Sequence, residues 1–240
     1  MIQKTLSTLN GKLQVSIPQD LHELTLGQLM AMQATDNMTD IQAIQILSGV
    51  PMAELQQVRS FHELQVFNDH ILALAQQIRS LYNSDNVPKT VSFHIKGKTR
   101  KVNVSANLSM EPAGAFMAAR DIIAEEVARH AELYGDDWQE HFDPSLRICS
   151  QILAHYFYCR ATGELYNEEK ATAFAEEVEK LPITQALPIA KCFFLSYPSL
   201  SKPRTGFWRR LFRSWRKGPV SPSSRSSDIS TLLTHWQGVM

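Results

Sequence analysis

Histidine, cysteine and carboxylate side chains with helical spacing are the first candidates for chemistry in this chain of 240 residues. His155 and Cys159 are four residues apart, a spacing at which two side chains on one helix can bind the same metal ion. The sequence around them, ILAHYFYC, is apolar on nearly every side, and no second pair of ligands is visible. This pattern favours a histidine packed in the core over a metal ligand.

A second polar group has two histidines bracketing a loop with three acidic residues: His130, His141, Asp136, Asp137 and Glu140. Carboxylates in such a loop could hold a cation, but the spacing DDWQE matches no calcium-loop pattern. A solvated acidic loop is therefore favoured. Adjacent acids, such as Glu125 and Glu126, do not face each other on a helix and make a poor general acid and base pair. The same holds for Glu168 and Glu169.

Sequence motifs of known catalytic sites are missing. The chain has no GxxxxGK[ST] phosphate loop, no GxGxxG after a strand, and no HExxH, CxxC or GxSxG. Its three cysteines, Cys149, Cys159 and Cys192, lack the spacing of a disulfide framework, which is typical of a reducing cytoplasm. We expect all three to be buried. The sequence predicts no catalytic residue, no cofactor and no bound metal, and a hydrolase or metal enzyme of unfamiliar type ranks third among our hypotheses.

Composition indicates a globular protein, with 44% hydrophobic and 20% charged residues. Apolar content of this order excludes wholesale disorder, and low glycine with no sustained heptads excludes a fibre. The N-terminus has no apolar segment of the secretory type, and no run approaches eighteen apolar residues. We therefore expect no membrane span and a location in the cytoplasm.

Hydrophobic periodicity predicts a mainly α fold with two small β-hairpins (α+β). The hairpins are expected at about 4–17, around Asn10-Gly11, and at about 90–104, around Lys96-Gly97-Lys98. The predicted hairpins and helices form a helical body over residues 1–200, which is followed by a flexible basic tail at 201–240. Helices are predicted at about 25–33, 39–48, 52–60, 60–82, 113–134, 145–158, 167–180 and 184–198.

An internal similarity relates two parts of the body. DLHELTLGQLMAMQ (20–33) aligns with NLSMEPAGAFMAAR (107–120) at an offset of 87 residues, and the same offset superimposes the two predicted hairpins. This suggests a duplicated unit of a hairpin followed by a helix. Chance similarity between apolar helices is the alternative.

Charge is divided sharply along the chain. Residues 202–240 carry eight Lys or Arg and one acid, a net charge of +7, whereas residues 1–201 carry 16 bases and 23 acids, a net charge of −7. An acidic body thus precedes a basic tail, which is expected to contact an anionic surface.

The tail combines an aromatic stripe with arginines. At helical spacing, the apolar side chains are Phe207, Trp208, Leu211, Phe212 and Trp215. The remaining positions predicted to contact anionic groups are Arg209, Arg210, Arg213, Arg216 and Lys217. A Ser/Pro-rich linker (218–227) leads to a terminal segment in which Leu232, Leu233 and Trp236 have helical spacing. A frayed terminus is the alternative for this last segment.

Three interpretations of the tail remain open. Its aromatic side chains could anchor it on another protein or on its own body, with arginines pairing to carboxylates. It could lie in a membrane interface, with arginines on anionic headgroups. It could also bind nucleic acid through phosphates and base stacking. We rank protein docking first, the membrane surface second and nucleic acid third.

Three segments together resemble a known class of protein: VSIPQDLHELTLGQLMAMQ, IQAIQILSGVPMAEL and ITQALPIAKCFF. They resemble small bacteriophage or prophage proteins encoded near tail genes, often tail-assembly chaperones or tail components. The resemblance covers patches of residues 12–200, brings no catalytic residue, and has no counterpart of the basic tail. It implies a non-enzymatic role in virion tail assembly in the host cytoplasm, or as part of the virion, by binding a tail or tape-measure-like protein or another copy of itself.

Overall fold

The computed structural model describes residues 1–81, 86–105 and 112–196 of the chain. These residues are grouped in two compact units, with a boundary after Leu81, and the sequence analysis did not make this division. Each unit contains one two-stranded antiparallel sheet, and helices make up most of the rest. The fold is mainly α with two small β-hairpins, as predicted.

The first unit begins with a hairpin of β1 (Ile2–Thr8) and β2 (Gly11–Ile17). Thr8 pairs with Gly11, so the two-residue loop is Leu9-Asn10, one residue earlier than the predicted Asn10-Gly11. Gly11 instead begins β2 with a φ of 136°, which side chains rarely adopt. The free edge of β1 is covered near its end, because the backbone N–H of Arg59 donates to the carbonyl of Ser7 at 2.9 Å.

Five helices follow in the first unit, and their ends agree with capping chemistry. They are α1 (Leu26–Gln33), α2 (Asp40–Ser48), α3 (Met52–Leu55), α4 (Phe61–Gln65) and α5 (Asn68–Leu81). Thr25 and Gln28 form a reciprocal capping box at the start of α1. Gly49 ends α2 in the left-handed conformation that only glycine adopts easily.

The predicted continuous helix over 60–82 is wrong, because the chain breaks between α4 and α5. At the break, Phe67 is fully buried, and the side-chain amide of Asn68 donates to a carboxylate oxygen of Asp40 at 2.7 Å. Burial of one large aromatic side chain stabilises a fold by about 2–3 kcal/mol, more than one uninterrupted helical turn contributes. The helix predicted at 52–60 is likewise shorter, ending at Leu55.

The second unit has a hairpin of β3 (Thr90–Ile95) and β4 (Lys98–Asn103) around the loop Lys96-Gly97. Both loop residues have positive φ, as a tight hairpin loop of this kind requires. Its helices are α6 (Ala113–Tyr134), α7 (Leu146–Thr162), α8 (Glu168–Ala173), α9 (Ala175–Val178) and α10 (Ile183–Ser196). A 3-10 helix, Gly135–Glu140, connects α6 to the segment before α7.

Helix α7 is the centre of the second unit, with buried residues on most of its sides. Phe93 of β3 lies between Phe157 of α7 and Phe174, with ring centroids 5.1 and 5.2 Å apart. Phe174 separates α8 from α9, so the single helix predicted over 167–180 is two short ones. The break lets the Phe174 ring pack against the hairpin. None of the helices in the described ranges is long and apolar enough to cross a membrane.

The two hairpin-and-helix segments coincide at the offset of 87 residues. Their loops are residues 9–10 and 96–97, and their following helices begin at Leu26 and Ala113. Val15 and Val102 are buried at matching positions of the second strands. These coincidences support the duplicated-unit hypothesis.

Gly114 should be intolerant of alanine, because the added Cβ would lie 2.8 Å from Cδ1 of Tyr166. We expect Gly114→Ala to lower the free energy of unfolding by about 1–2 kcal/mol, since crowding outweighs the better helix propensity of alanine. Chemical denaturation measures the change. In a Tyr166→Ala background, the same substitution should be neutral or stabilising. Equal losses in both backgrounds would contradict a clash with the Tyr166 ring.

Candidate interaction surfaces and a buried polar cluster

The residues predicted to bind a partner all lie outside the described residues, so their roles stay predictions. The apolar members are Phe207, Trp208, Leu211, Phe212, Trp215, Leu232, Leu233 and Trp236. The cationic members are Arg209, Arg210, Arg213, Arg216 and Lys217. Within the described part of the helical body (residues 1–200), the structure shows one buried polar cluster and two exposed surfaces.

The polar cluster centres on Glu126, a buried carboxylate of α6. Its two oxygens accept hydrogen bonds from the Arg129 guanidinium at 3.0 and 2.8 Å, and one of them lies 3.4 Å from the backbone nitrogen of Ser145. Burial opposes the charged form, but the hydrogen bonds and charge of Arg129 hold the pKa of Glu126 below its ordinary value. Glu126 therefore connects α6 to the start of α7.

His130, one turn along α6, contacts backbone groups through both of its ring nitrogens. Its Nδ1 lies 2.9 Å from the carbonyl oxygen of Glu126, which can only accept, so Nδ1 carries the proton. Its Nε2 lies 3.3 Å from the backbone nitrogen of Asp143 and accepts that N–H. A second bond thus fastens the segment before α7 to α6.

Two further groups near this cluster have strongly shifted pKa values. Burial, helped by the charge of Glu126, raises the pKa of Asp143 to about 6. Burial, together with the charges of Asp143 and Glu126, raises the pKa of the Cys149 thiol to about 12. A thiol with so high a pKa stays protonated and is a weak nucleophile. The chemistry that this cluster can supply is hydrogen bonding that positions the segment between α6 and α7.

His155, the candidate ligand of α7, is buried, and its Nδ1 lies 2.9 Å from the hydroxyl of Tyr166. Burial lowers its pKa, which favours the neutral ring. Cys159 is partly exposed, as is Cys192, so the expectation that all three cysteines are buried is wrong for these two. Asp136 and Asp137 are exposed. Across residues 1–81, 86–105 and 112–196, the structure contains no group of three or more His, Cys, Asp or Glu that could hold a metal ion.

Helix α6 carries an exposed apolar surface in addition to its buried face. Phe116 and Met117 are 53% and 52% exposed near its start, and Leu133 and Tyr134 are 61% and 47% exposed at its end. Alanines occupy helix positions between these two pairs: Ala124, Ala128 and Ala131. The two exposed apolar pairs, one near each end of α6, are candidate contact sites.

The hairpin of the second unit is basic, a feature that the sequence analysis missed. Residues 86–105 hold five Lys or Arg and no acid, whereas the rest of residues 1–201 holds 11 bases and 23 acids. A charge count over 20-residue windows would have found this segment. Beside β4 runs an open groove of about 430 Å³, lined by Lys101, Val102, Asn103, Cys159 and Arg160.

Comparisons of the chain with protein-family models, with curated proteins and with solved structures find no match.

Replacing Asp143 with asparagine should stabilise the fold at neutral pH. The folded-state pKa of about 6 exceeds the value of about 3.9 for an unfolded aspartate, so the ionised group destabilises the folded state above pH 6. We expect Asp143→Asn to raise the free energy of unfolding by about 1–2 kcal/mol at pH 7.5, and the difference to vanish near pH 4. Urea unfolding at both pH values measures it.

Asp136→Asn is the matched control, because Asp136 is an exposed acid of the neighbouring 3-10 helix. This variant should show little difference from the parent chain at either pH. A loss of stability in Asp143→Asn at pH 7.5 would contradict the stated cause of the shift.

Proposed function

We propose that this protein is a non-enzymatic protein-binding factor that acts in bacteriophage tail assembly, as a tail-assembly chaperone or a structural adaptor. Its partner would be a tail or tape-measure-like component, or another copy of the chain. The proposal places it in the host cytoplasm during assembly, and retention in the virion is the alternative location.

One observation carries the proposal. The segment 204–217 gathers two of the four tryptophans and six bases without any acid, in a chain whose first 201 residues have a net charge of −7. Aromatic and arginine side chains are the types that most often dominate the energy of protein interfaces. The three body segments that resemble phage tail-region proteins support the choice of process.

The body offers support of a different kind. Exposed apolar side chains on α6, such as Phe116 and Met117, are suited to transient contact with a partly folded client or an assembly partner. Burial is the main cause of the raised pKa values of Asp143 and Cys149, and we assign both residues a structural role.

Co-purification with the products of the flanking genes tests the proposal. The triple variant Trp208→Ser, Phe212→Ser, Trp215→Ser should weaken binding of the partner by at least about tenfold, because it removes the aromatic anchors. Deletion of residues 201–240 should abolish binding. Leu9→Ser is the control, since Leu9 is 69% exposed on the first hairpin and should leave binding unchanged. Undiminished co-purification after the deletion would show that the assigned contacts are wrong.

A second candidate function uses the same segment on a membrane surface or on nucleic acid. It is favoured by the arginines between the aromatic residues, which suit anionic headgroups and phosphates. Under this alternative, the charge reversal Arg209→Glu, Arg210→Glu, Arg213→Glu abolishes binding to anionic liposomes or DNA. Sedimentation with liposomes and a DNA gel-shift assay measure it, and unchanged binding rejects this alternative.

A further inference from the structure

The basic hairpin has one backbone edge that no residue of the described ranges covers. In an antiparallel pair, hydrogen-bonded and non-hydrogen-bonded residue pairs alternate along the strands. The backbone N–H of Val104 donates to the carbonyl of Lys89 at 2.9 Å, which fixes the alternation. The backbone groups of Thr99, Lys101 and Asn103 therefore point away from β3. No residue in the described ranges hydrogen-bonds to the outward backbone groups of Thr99 and Lys101.

In the first hairpin it is the β1 edge that is covered. There the outward carbonyl of Ser7 accepts from the backbone of Arg59, and the Ser7 N–H donates to a carboxylate oxygen of Glu63 at 2.7 Å. Such covering is the usual arrangement, because an open strand edge is a ready template for another strand.

The open edge of β4 lies in a cationic environment. Lys98 and Lys101 are exposed, and none of the described carboxylates forms an ion pair with either. Two other cations of the hairpin are already engaged by the fold. Lys96 pairs with Glu164 at 3.3 Å, and Arg100 donates to the carbonyl of Thr162 at the end of α7 at 2.7 Å.

The groove of about 430 Å³ adjoins this edge. It is lined on the β4 side by Lys101, Val102 and Asn103, and on the α7 side by Cys159 and Arg160. The Arg160 guanidinium lies 4.7 Å from the ring centroid of Tyr156 and within 3.5 Å of the Asn103 carbonyl. It is therefore fixed at one end of the groove, where it can meet a carboxylate.

We propose that an extended acidic segment of a partner protein adds to β4 as a third strand, with its backbone bonded to Thr99 and Lys101 and its carboxylates beside Lys101 and Arg160. The proposal rests on the protein-binding role put forward above but assigns it a second surface. Main-chain bonds would supply affinity, and the cations would select an acidic sequence.

The chain's own tail does not fit this groove by charge, because residues 202–240 have a net charge of +7. Single-stranded nucleic acid fits it less well than a peptide does. The outward face of the hairpin presents Ser92, His94, Thr99 and Lys101, none of which is a Phe, Tyr or Trp on which bases could stack. The open main-chain edge favours a peptide strand.

The test uses the full chain and a capped nine-residue peptide of alternating Thr and Glu, titrated by amide chemical shifts. Binding should slow hydrogen exchange at the backbone amides of Thr99 and Lys101. Two further peptides carry N-methyl groups on all Thr or on all Glu residues. Only one set of N–H groups can face β4, so one methylated peptide should bind like the parent and the other about tenfold more weakly. Equal effects of the two methylations would overturn strand addition.

A charge-reversal variant of the protein provides a second test. Lys101→Glu should weaken binding of the acidic peptide by about tenfold or more, and Lys12→Glu, on the exposed part of the first hairpin, should not change it. Unchanged binding to Lys101→Glu would overturn the proposal, as would tighter binding of an oligothymidine than of the peptide. Loss of the partner on deletion of residues 201–240, with no peptide binding at β4, would leave the proposed function standing and remove only this inference.

Discussion

Packing of the β3–β4 hairpin onto α7 is the constraint on which the second unit depends. A two-stranded hairpin is barely stable alone in water, so it needs another element to cover one face. Phe93 provides that contact by inserting between Phe157 and Phe174, and Arg100 adds hydrogen bonds to the last carbonyls of α7. Those carbonyls carry the negative end of the helix dipole, so the cation is favoured there. The inner face is thus committed to the core, and the β4 edge at Thr99 and Lys101 has no backbone partner among the described residues.

Turn and capping residues in the sequence were sufficient to predict where most helices and strands begin and end. The capping box of Thr25 and Gln28, the terminating Gly49 and the Lys96-Gly97 loop act within a few residues. The helices predicted at about 25–33 and 39–48 and the hairpin predicted at about 90–104 are confirmed. The two broken helices share a feature that helical periodicity does not contain. Each break lies at a buried aromatic residue, Phe67 and Phe174, and the Phe174 ring packs on Phe93, which is far away in the sequence.

The candidate sites likewise have some features that the sequence predicts and others that only the structure reveals. The charge of residues 86–105 can be read from the sequence, but which backbone groups of β4 point outward follows only from the strand register. The cluster of Glu126, His130 and Asp143 depends on backbone groups meeting across a turn, which side-chain spacing does not indicate. The histidines and acids that the sequence analysis singled out as a loop cluster are dispersed, with His130 buried and Asp136 exposed.

The charge pattern also explains how a chain with no net charge could choose an acidic partner. An acidic segment is repelled by most of the body, which outside the hairpin carries 23 acids and 11 bases. Attraction is confined to the basic hairpin and to residues 202–240. Charges arranged in this way orient an encounter more than they strengthen it, because wrong placements are penalised. Since exposed charges are screened over about 8 Å at physiological salt, selection acts only at close approach. Under the two proposals above, affinity comes from contacts that salt does not weaken, namely main-chain bonds at β4 and aromatic side chains in the tail.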